Sequence, residues 1–225
     1  MQDELAEFLA EGPTVERDDP AVRALAARAE AAGGSPRERA VRLYYMVRDE
    51  IYYDPYTVAL DEPGLKASRT LADGRGWCVS KAILLAAACR AMEIPAGLGF
   101  ADVRNHMSTA KMRERMQTDI FYWHGYTDIW LDGAWRKATP AFNIELCDKF
   151  GLKPLEFDGV EDSIYHPFDK AGQRHMEYLN HRGRFAEPPM AEMRDTFVTH
   201  YPHWRVGEPS DGGDFEAEVA REVAG

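Results

Sequence analysis

Apolar positions recur at helical spacing through the first third of the chain. Asp19-Pro20 caps a predicted helix over AVRALAARAEAA, and Gly33-Gly34 stops it. Ser35-Pro36-Arg37-Glu38 has the form of a capping box. Behind it Ala40, Leu43, Tyr44, Val47 and Ile51 share one face of a second helix. YYDPYTVALDEPGLKAS reads as a proline-containing connection, with Ser68 capping a short turn. The next segment has little polar surface. Ala82, Ile83, Leu85, Ala86, Ala87, Cys89 and Met92 lie in a helix predicted from Cys78 to about Glu93 and ended by Pro95. A helix so apolar all round belongs inside a fold. AGLGFADV then alternates like a strand. Residues 105–119 are polar except for Met107, Met112 and Met116, and predict a short surface helix between strands. Tyr122 to Leu131 and Ala134 to Thr139 flank Asp132-Gly133, a strong signal for a two-residue hairpin. From about Asn143 the pattern is irregular, with a helix predicted near 189–200. The end of the chain predicts a mobile tail with a weak terminal helix.

Composition narrows the class without naming a substrate. At 225 residues, with 45% hydrophobic and 29% charged positions, the chain fits a globular protein with one sizeable core. A net charge of −11 argues against nucleic acid and against an anionic membrane surface as partners. No run approaches about 18 consecutive apolar residues, so no membrane span is expected. MQDELAEFLAEG has acids where a secretion signal needs a basic start. Three cysteines, Cys78, Cys89 and Cys147, form neither a disulfide framework nor a CxxC pair. These features point to the reducing cytoplasm.

Candidate chemistry concentrates at two places. Gly74-Arg75-Gly76-Trp77 lets the backbone turn sharply before Cys78, which opens the buried helix. A helix N-terminus carries roughly half a positive charge and favours thiolate, the nucleophilic form. The second place is His124, a candidate base, in the first strand of the hairpin. If Asp132-Gly133 is the turn, paired positions sum to 265 and Thr139 lies opposite Tyr126. His124, Tyr126, Asp128 and Thr139 then share a face, with Thr139 a diagonal neighbour of His124. Cys89 reads as packing and Cys147 as an incidental loop residue. His166, His175 and His181 are spaced by nine and six residues, which fits no standard metal pattern, so no metal is expected.

GRGWCVSKAILLAAACRAMEIPAGLGFADV and HGYTDIWLDGAWRKATP resemble the nucleophile segment and the histidine strand pair of the transglutaminase-like superfamily. These are papain-related cysteine enzymes, and the likeness is to bacterial members. It begins near Ala21 and is densest over Lys66 to Asn105 and Tyr122 to Asn143. By position it implies Cys78 as nucleophile and His124 as base. The family sets aspartate in a Trp-x-x-x-Asp-Pro context. Here Trp135 leads to Thr139-Pro140, so threonine replaces the carboxylate that would orient the imidazole. Three outcomes stay open. Thr139 orients the ring; Asp128 or Asn143 does so; or the site is weak or inactive.

The resemblance implies an α+β fold of papain-like, transglutaminase-core type. The nucleophile-bearing helix would pack on an antiparallel sheet, with His124 on its second or third strand. One domain is expected over residues 1–205: N-terminal helices over 1–55, a catalytic core over about 60–143, a C-terminal rim over 144–205, and a tail from 206 to 225. The expected activity is thiol-dependent acyl transfer on a peptide or glutamine amide, without a cofactor; water or an amine can end the cycle, and the resemblance favours hydrolysis. Trp77, Tyr126 and His175 are candidate substrate contacts, and the Cys78 N–H is a natural oxyanion donor. The competing class is a non-catalytic peptide- or protein-binding module on the same fold.

Overall fold

The computed structural model of the chain describes residues 2–105, 108–164, 176–203 and 215–223. A short α1 (Gln2–Ala6) precedes α2 (Pro20–Glu30) and α3 (Pro36–Glu50). The Asp19 carboxylate accepts the Ala21 and Val22 N–H groups, and Ser35 and Glu38 form the full capping box. Both predicted helix starts therefore stand.

Next come β1 (Tyr52–Tyr53), a 3-10 turn (Pro55–Thr57), α4 (Glu62–Leu65), α5 (Ala67–Asp73) and β2 (Arg75–Gly76). β1 and β2 form a small parallel pair. Ser68 does not cap this region. It lies inside α5, and its hydroxyl and N–H both bond Glu16.

The central helix is α6 (Cys78–Ala91), buried at every residue from Cys78 to Arg90. Two basic side chains lie within it, and both donate to backbone carbonyls. Lys81 Nζ donates to Arg48, Ile51 and Ala141 oxygens, and the Arg90 guanidinium donates to Ala10, Ala96 and Ala186 oxygens. Such pairing is what allows charge-bearing side chains inside an apolar layer.

The main sheet follows with β3 (Ala96–Asn105), α7 (Ala110–Met116), β4 (Ile120–Leu131) and β5 (Ala134–Ala138). The described chain ends with α8 (Ile144–Phe150), β6 (Met176–Phe185), α9 (Met190–His200) and α10 (Phe215–Val223). The strand order is β5-β4-β3-β6, antiparallel throughout. α6 packs on β4 and β3, while α2, α3 and α5 pack on α6 from its other sides. This is the expected α+β arrangement, a cysteine-bearing helix on an antiparallel sheet beneath N-terminal helices. Asp132 (φ 51°) and Gly133 (φ 85°) both take the left-handed backbone a type I′ turn needs. Leu131 pairs with Ala134 and Thr127 with Ala138, so the predicted register holds.

Several expectations do not. The irregular C-terminal third contains an edge strand, β6. Cys147 is on a helix, α8, and buried. α7 turns Met112 and Met116 inward, because their side chains close a cleft beside α6. The end of the expected tail is docked. Phe215 of α10 meets Tyr53, Tyr56 and Phe150 rings, and Glu218 accepts from Tyr56 Oη. Among the described residues no helix is long and apolar enough to cross a membrane.

Candidate active site

The backbone around Cys78 is crowded in a way only glycine permits. A Cβ on Gly76 would stand 2.3 Å from Ser80 Oγ. Trp77, extended at φ −84° and ψ 176°, then leads into the first turn of α6. Across from it, a Cβ on Gly125 would come within 2.9 Å of the Val79 Cα, a backbone atom that cannot step aside. β4 therefore lies directly against the N-terminus of α6. The Gly125, Val79 and Cys78 amides lie near Cys78 Sγ and favour its thiolate.

These donors and the helix dipole do not yield a resting thiolate. Burial is the larger effect, and it pushes the Cys78 thiol up to about 11. The sequence-based expectation of a depressed thiol is thus corrected: a sulfur taken out of water loses more than three backbone amides return. Iodoacetamide labelling of Cys78 should climb with pH from neutrality toward about 11. A rate plateau beginning below pH 7 would instead reveal a thiolate–imidazolium pair at rest. Cys89 is fully buried and its thiol is pushed up to about 12, as fits a packing residue.

Cys78 opens into a cleft that also receives His124 and Trp77. Tyr53 and Pro55 contribute from the segment after α3, Met112 and Met116 from α7, Phe121 and Tyr122 from β4, and Phe197 and Tyr201 from α9 and its end. Among the described residues no carboxylate, lysine or arginine lines it. Tyr201 Oη accepts the Tyr122 N–H and donates to the Ile120 carbonyl, which pins α9 over β4. Sequence reasoning missed Tyr53, Phe197 and Tyr201, whose places depend on distant packing. It noted the methionine spacing but assigned it to the surface.

The structure brings together three of the residues singled out from sequence, Cys78, His124 and Trp77. The His124 ring lies edge-on to Tyr178, with centroids 6.5 Å apart.

None of the three proposed orienters bonds His124. Thr139 is buried with Oγ1 unpartnered, while its N–H and carbonyl bond Ser163 and Tyr44. Asp128 is claimed by Arg184, whose Nε lies 2.9 Å from Oδ2. Burial raises the Asp128 carboxyl from its ordinary value despite that cation. Asn143 Oδ1 accepts the Tyr53 N–H at 3.1 Å, so it braces the cleft wall instead. Tyr126 is also not a cleft residue. Its ring lies over Gly99, where a Cβ would be 2.0 Å from Cε2. His166 and His175 fall outside the described residues. His181 stacks on Tyr178 at 5.8 Å. Among the described residues no three His, Cys, Asp or Glu side chains are grouped to hold a metal ion.

The sequence matches the family model of the transglutaminase-like superfamily over residues 23–140, just over half of the chain. The chain belongs to the transglutaminase-like superfamily. That span holds both the cysteine-led helix and the histidine hairpin, and at family level it supports thiol-dependent hydrolase or acyltransferase chemistry. A solved structure from Cytophaga hutchinsonii, provisionally named a cysteine protease, is similar at 15% identity and a TM-score of 0.48. The likeness covers 82% of this chain and 55% of that one, so the chain spans about half the length of that protein. No curated protein matches the chain. Against the superfamily pattern, Thr139 stands where the carboxylate is usual, and its unpartnered hydroxyl shows that it has not taken over that contact.

Proposed function

We propose that the chain cleaves an amide bond by acyl transfer through Cys78, on a peptide or protein with a bulky apolar side chain beside the scissile carbonyl. The observation that carries this reading is the shared cleft: a thiol at a helix N-terminus and an imidazole, enclosed by aromatic and methionine side chains. His124 takes the thiol proton as sulfur attacks the carbonyl carbon. The Cys78 N–H is the donor available to the oxygen as it gains charge. His124 returns the proton to the departing amine, leaving a thioester on Cys78. Water, deprotonated by the same imidazole, then releases the acid and restores the thiol.

Peptide chloromethyl ketones that differ only in the residue next to the ketone test both the nucleophile and the cleft. Burying a large apolar side chain contributes about 1.5–3 kcal/mol. A phenylalanine reagent should therefore label Cys78 about 10–100-fold faster than its lysine counterpart. Cys78→Ala should remove the label. Equal rates for the two reagents, or labelling spread over Cys89 and Cys147, would favour a binding module that has lost its chemistry. Hydrolysis is distinguished from transamidation by adding a primary amine such as cadaverine. The acid remains the product if water completes the cycle.

A further inference from the structure

The pairing of β3 with β4 is regular from Ala96/Ile129 to Ala101/His124 and then slips, resuming at Val103/Phe121. One residue of β3, Asp102, thus stands against two of β4, Trp123 and Tyr122. This is a β-bulge, a device that re-aims neighbouring side chains. Trp123 sits at φ 59°, a left-handed backbone that a bulky aromatic residue rarely adopts and that costs about 1–3 kcal/mol.

Something must hold Trp123 there. Its N–H donates to Asp102 Oδ1 at 3.2 Å. The carboxylate is 6% exposed and is itself fixed from the edge strand β6: Arg182 Nε donates to Oδ1 at 2.6 Å and Asn180 Nδ2 to Oδ2 at 3.3 Å. The Trp123 ring is clamped as well. Its Nε1 donates to Thr196 Oγ1 at 2.9 Å, and the Arg182 guanidinium lies 4.3 Å from its centroid. The next residue along β4 is His124, and the one after is Gly125, which packs against Val79 in the first turn of α6.

We propose that Asp102 is a positioning residue for His124. By holding the Trp123 amide it maintains the bulge, and the bulge sets the direction in which the imidazole leaves β4 toward the thiol. The proposal rests on His124 serving as the base for Cys78. It assigns a carboxylate a role in aiming the histidine through the backbone before it.

The test compares Asp102→Ala and Asp102→Asn with the unaltered chain and with His124→Ala, using the phenylalanine chloromethyl ketone. Inactivation is split into its maximal rate and its half-saturating concentration, at pH 7 and pH 10, with melting temperature and Trp123 amide exchange followed alongside. Asp102→Ala should exchange the Trp123 amide faster and lower the maximal rate at pH 7 at least 10-fold. Its half-saturating concentration should change little, and the rate deficit should shrink at pH 10. Asp102→Asn keeps an acceptor oxygen for the Trp123 N–H and should recover most of the rate. A folded Asp102→Ala chain that reacts like the unaltered one overturns the proposal. So does an equal rate loss at both pH values with weakened saturation, the mark of a general structural role. If Asp102→Ala fails to fold, Asp102→Asn decides: a rate as low as that of His124→Ala refutes the assignment. Should His124→Ala react as fast as the unaltered chain, the acyl-transfer reading fails instead, while Trp123 amide exchange still reports on the bulge.

Discussion

His124→Ala is expected to slow acylation of Cys78 at pH 7 by about 10²–10⁴-fold, the usual contribution of a positioned general base. The surroundings of the sulfur explain why the loss should be so large. With the thiol pushed up to about 11 by burial, roughly one chain in 10⁴ carries a thiolate at pH 7 (7 − 11 = −4). The nearby backbone amides do not close that gap, so attack depends on a base that removes the proton as the bond to carbon forms. Among the described residues His124 is the imidazole lining the cleft. The deficit should narrow as pH rises toward about 11, because hydroxide then does the work of the imidazole. Stopped-flow measurement of p-nitrophenol release from an N-acyl-phenylalanine p-nitrophenyl ester, run from pH 6 to pH 10, gives both numbers. A His124→Ala rate within about threefold of the unaltered chain at pH 7 would remove the histidine from the mechanism.

Lys81→Met carries the largest expected loss of stability. Lys81 is fully buried three residues beyond Cys78, and burial draws its amine well below the ordinary lysine range. Its Nζ nevertheless has three carbonyl partners, at 2.9 Å from Arg48 O and Ala141 O and at 2.5 Å from Ile51 O. Arg48 belongs to the last turn of α3, where carbonyls lack helical partners, and Ile51 is its C-cap. Methionine has similar volume and no donor, so three buried oxygens would be left unsatisfied at about 1–3 kcal/mol each. After partial relaxation, a loss of about 3–5 kcal/mol in urea unfolding is expected. Labelling of Cys78 should also suffer. Ile51 leads directly into Tyr53, and Ala141 into Asn143, whose Oδ1 holds the Tyr53 N–H at the cleft wall. A stability change below about 1 kcal/mol would mean the carbonyls find water instead.

Local signals were legible in the sequence wherever they were strong and short-range. The capping residues Asp19 and Ser35, the Asp132-Gly133 turn and the all-round apolar run after Cys78 each fixed an element, because each acts within one turn of chain. Cys78 and His124 could be singled out since each sits in a distinctive segment. The edge strand β6 carried no such mark. Only Met176 of its ten residues is buried, so the alternation that betrays a half-buried strand is missing. The bulge was invisible too, since a left-handed tryptophan held by a carboxylate on another strand has no composition cue. Face-sharing arithmetic put Thr139 and Asp128 near the histidine. It could not say that Arg184 would claim Asp128, or that the Thr139 hydroxyl would face no partner. The cleft lining needed the whole fold, as Tyr53, Met112 and Phe197 come from three separate elements.

The central claim is that Cys78 becomes acylated with help from His124. Acid-quenching the reaction with the N-acyl-phenylalanine ester within its first turnover, followed by peptide mapping by mass spectrometry, tests it most directly. The account predicts one acyl group per chain, held as a thioester on Cys78, absent from Cys78→Ala and forming far more slowly in His124→Ala. An acyl group on any other side chain, or none on Cys78 while product still accumulates, would contradict it.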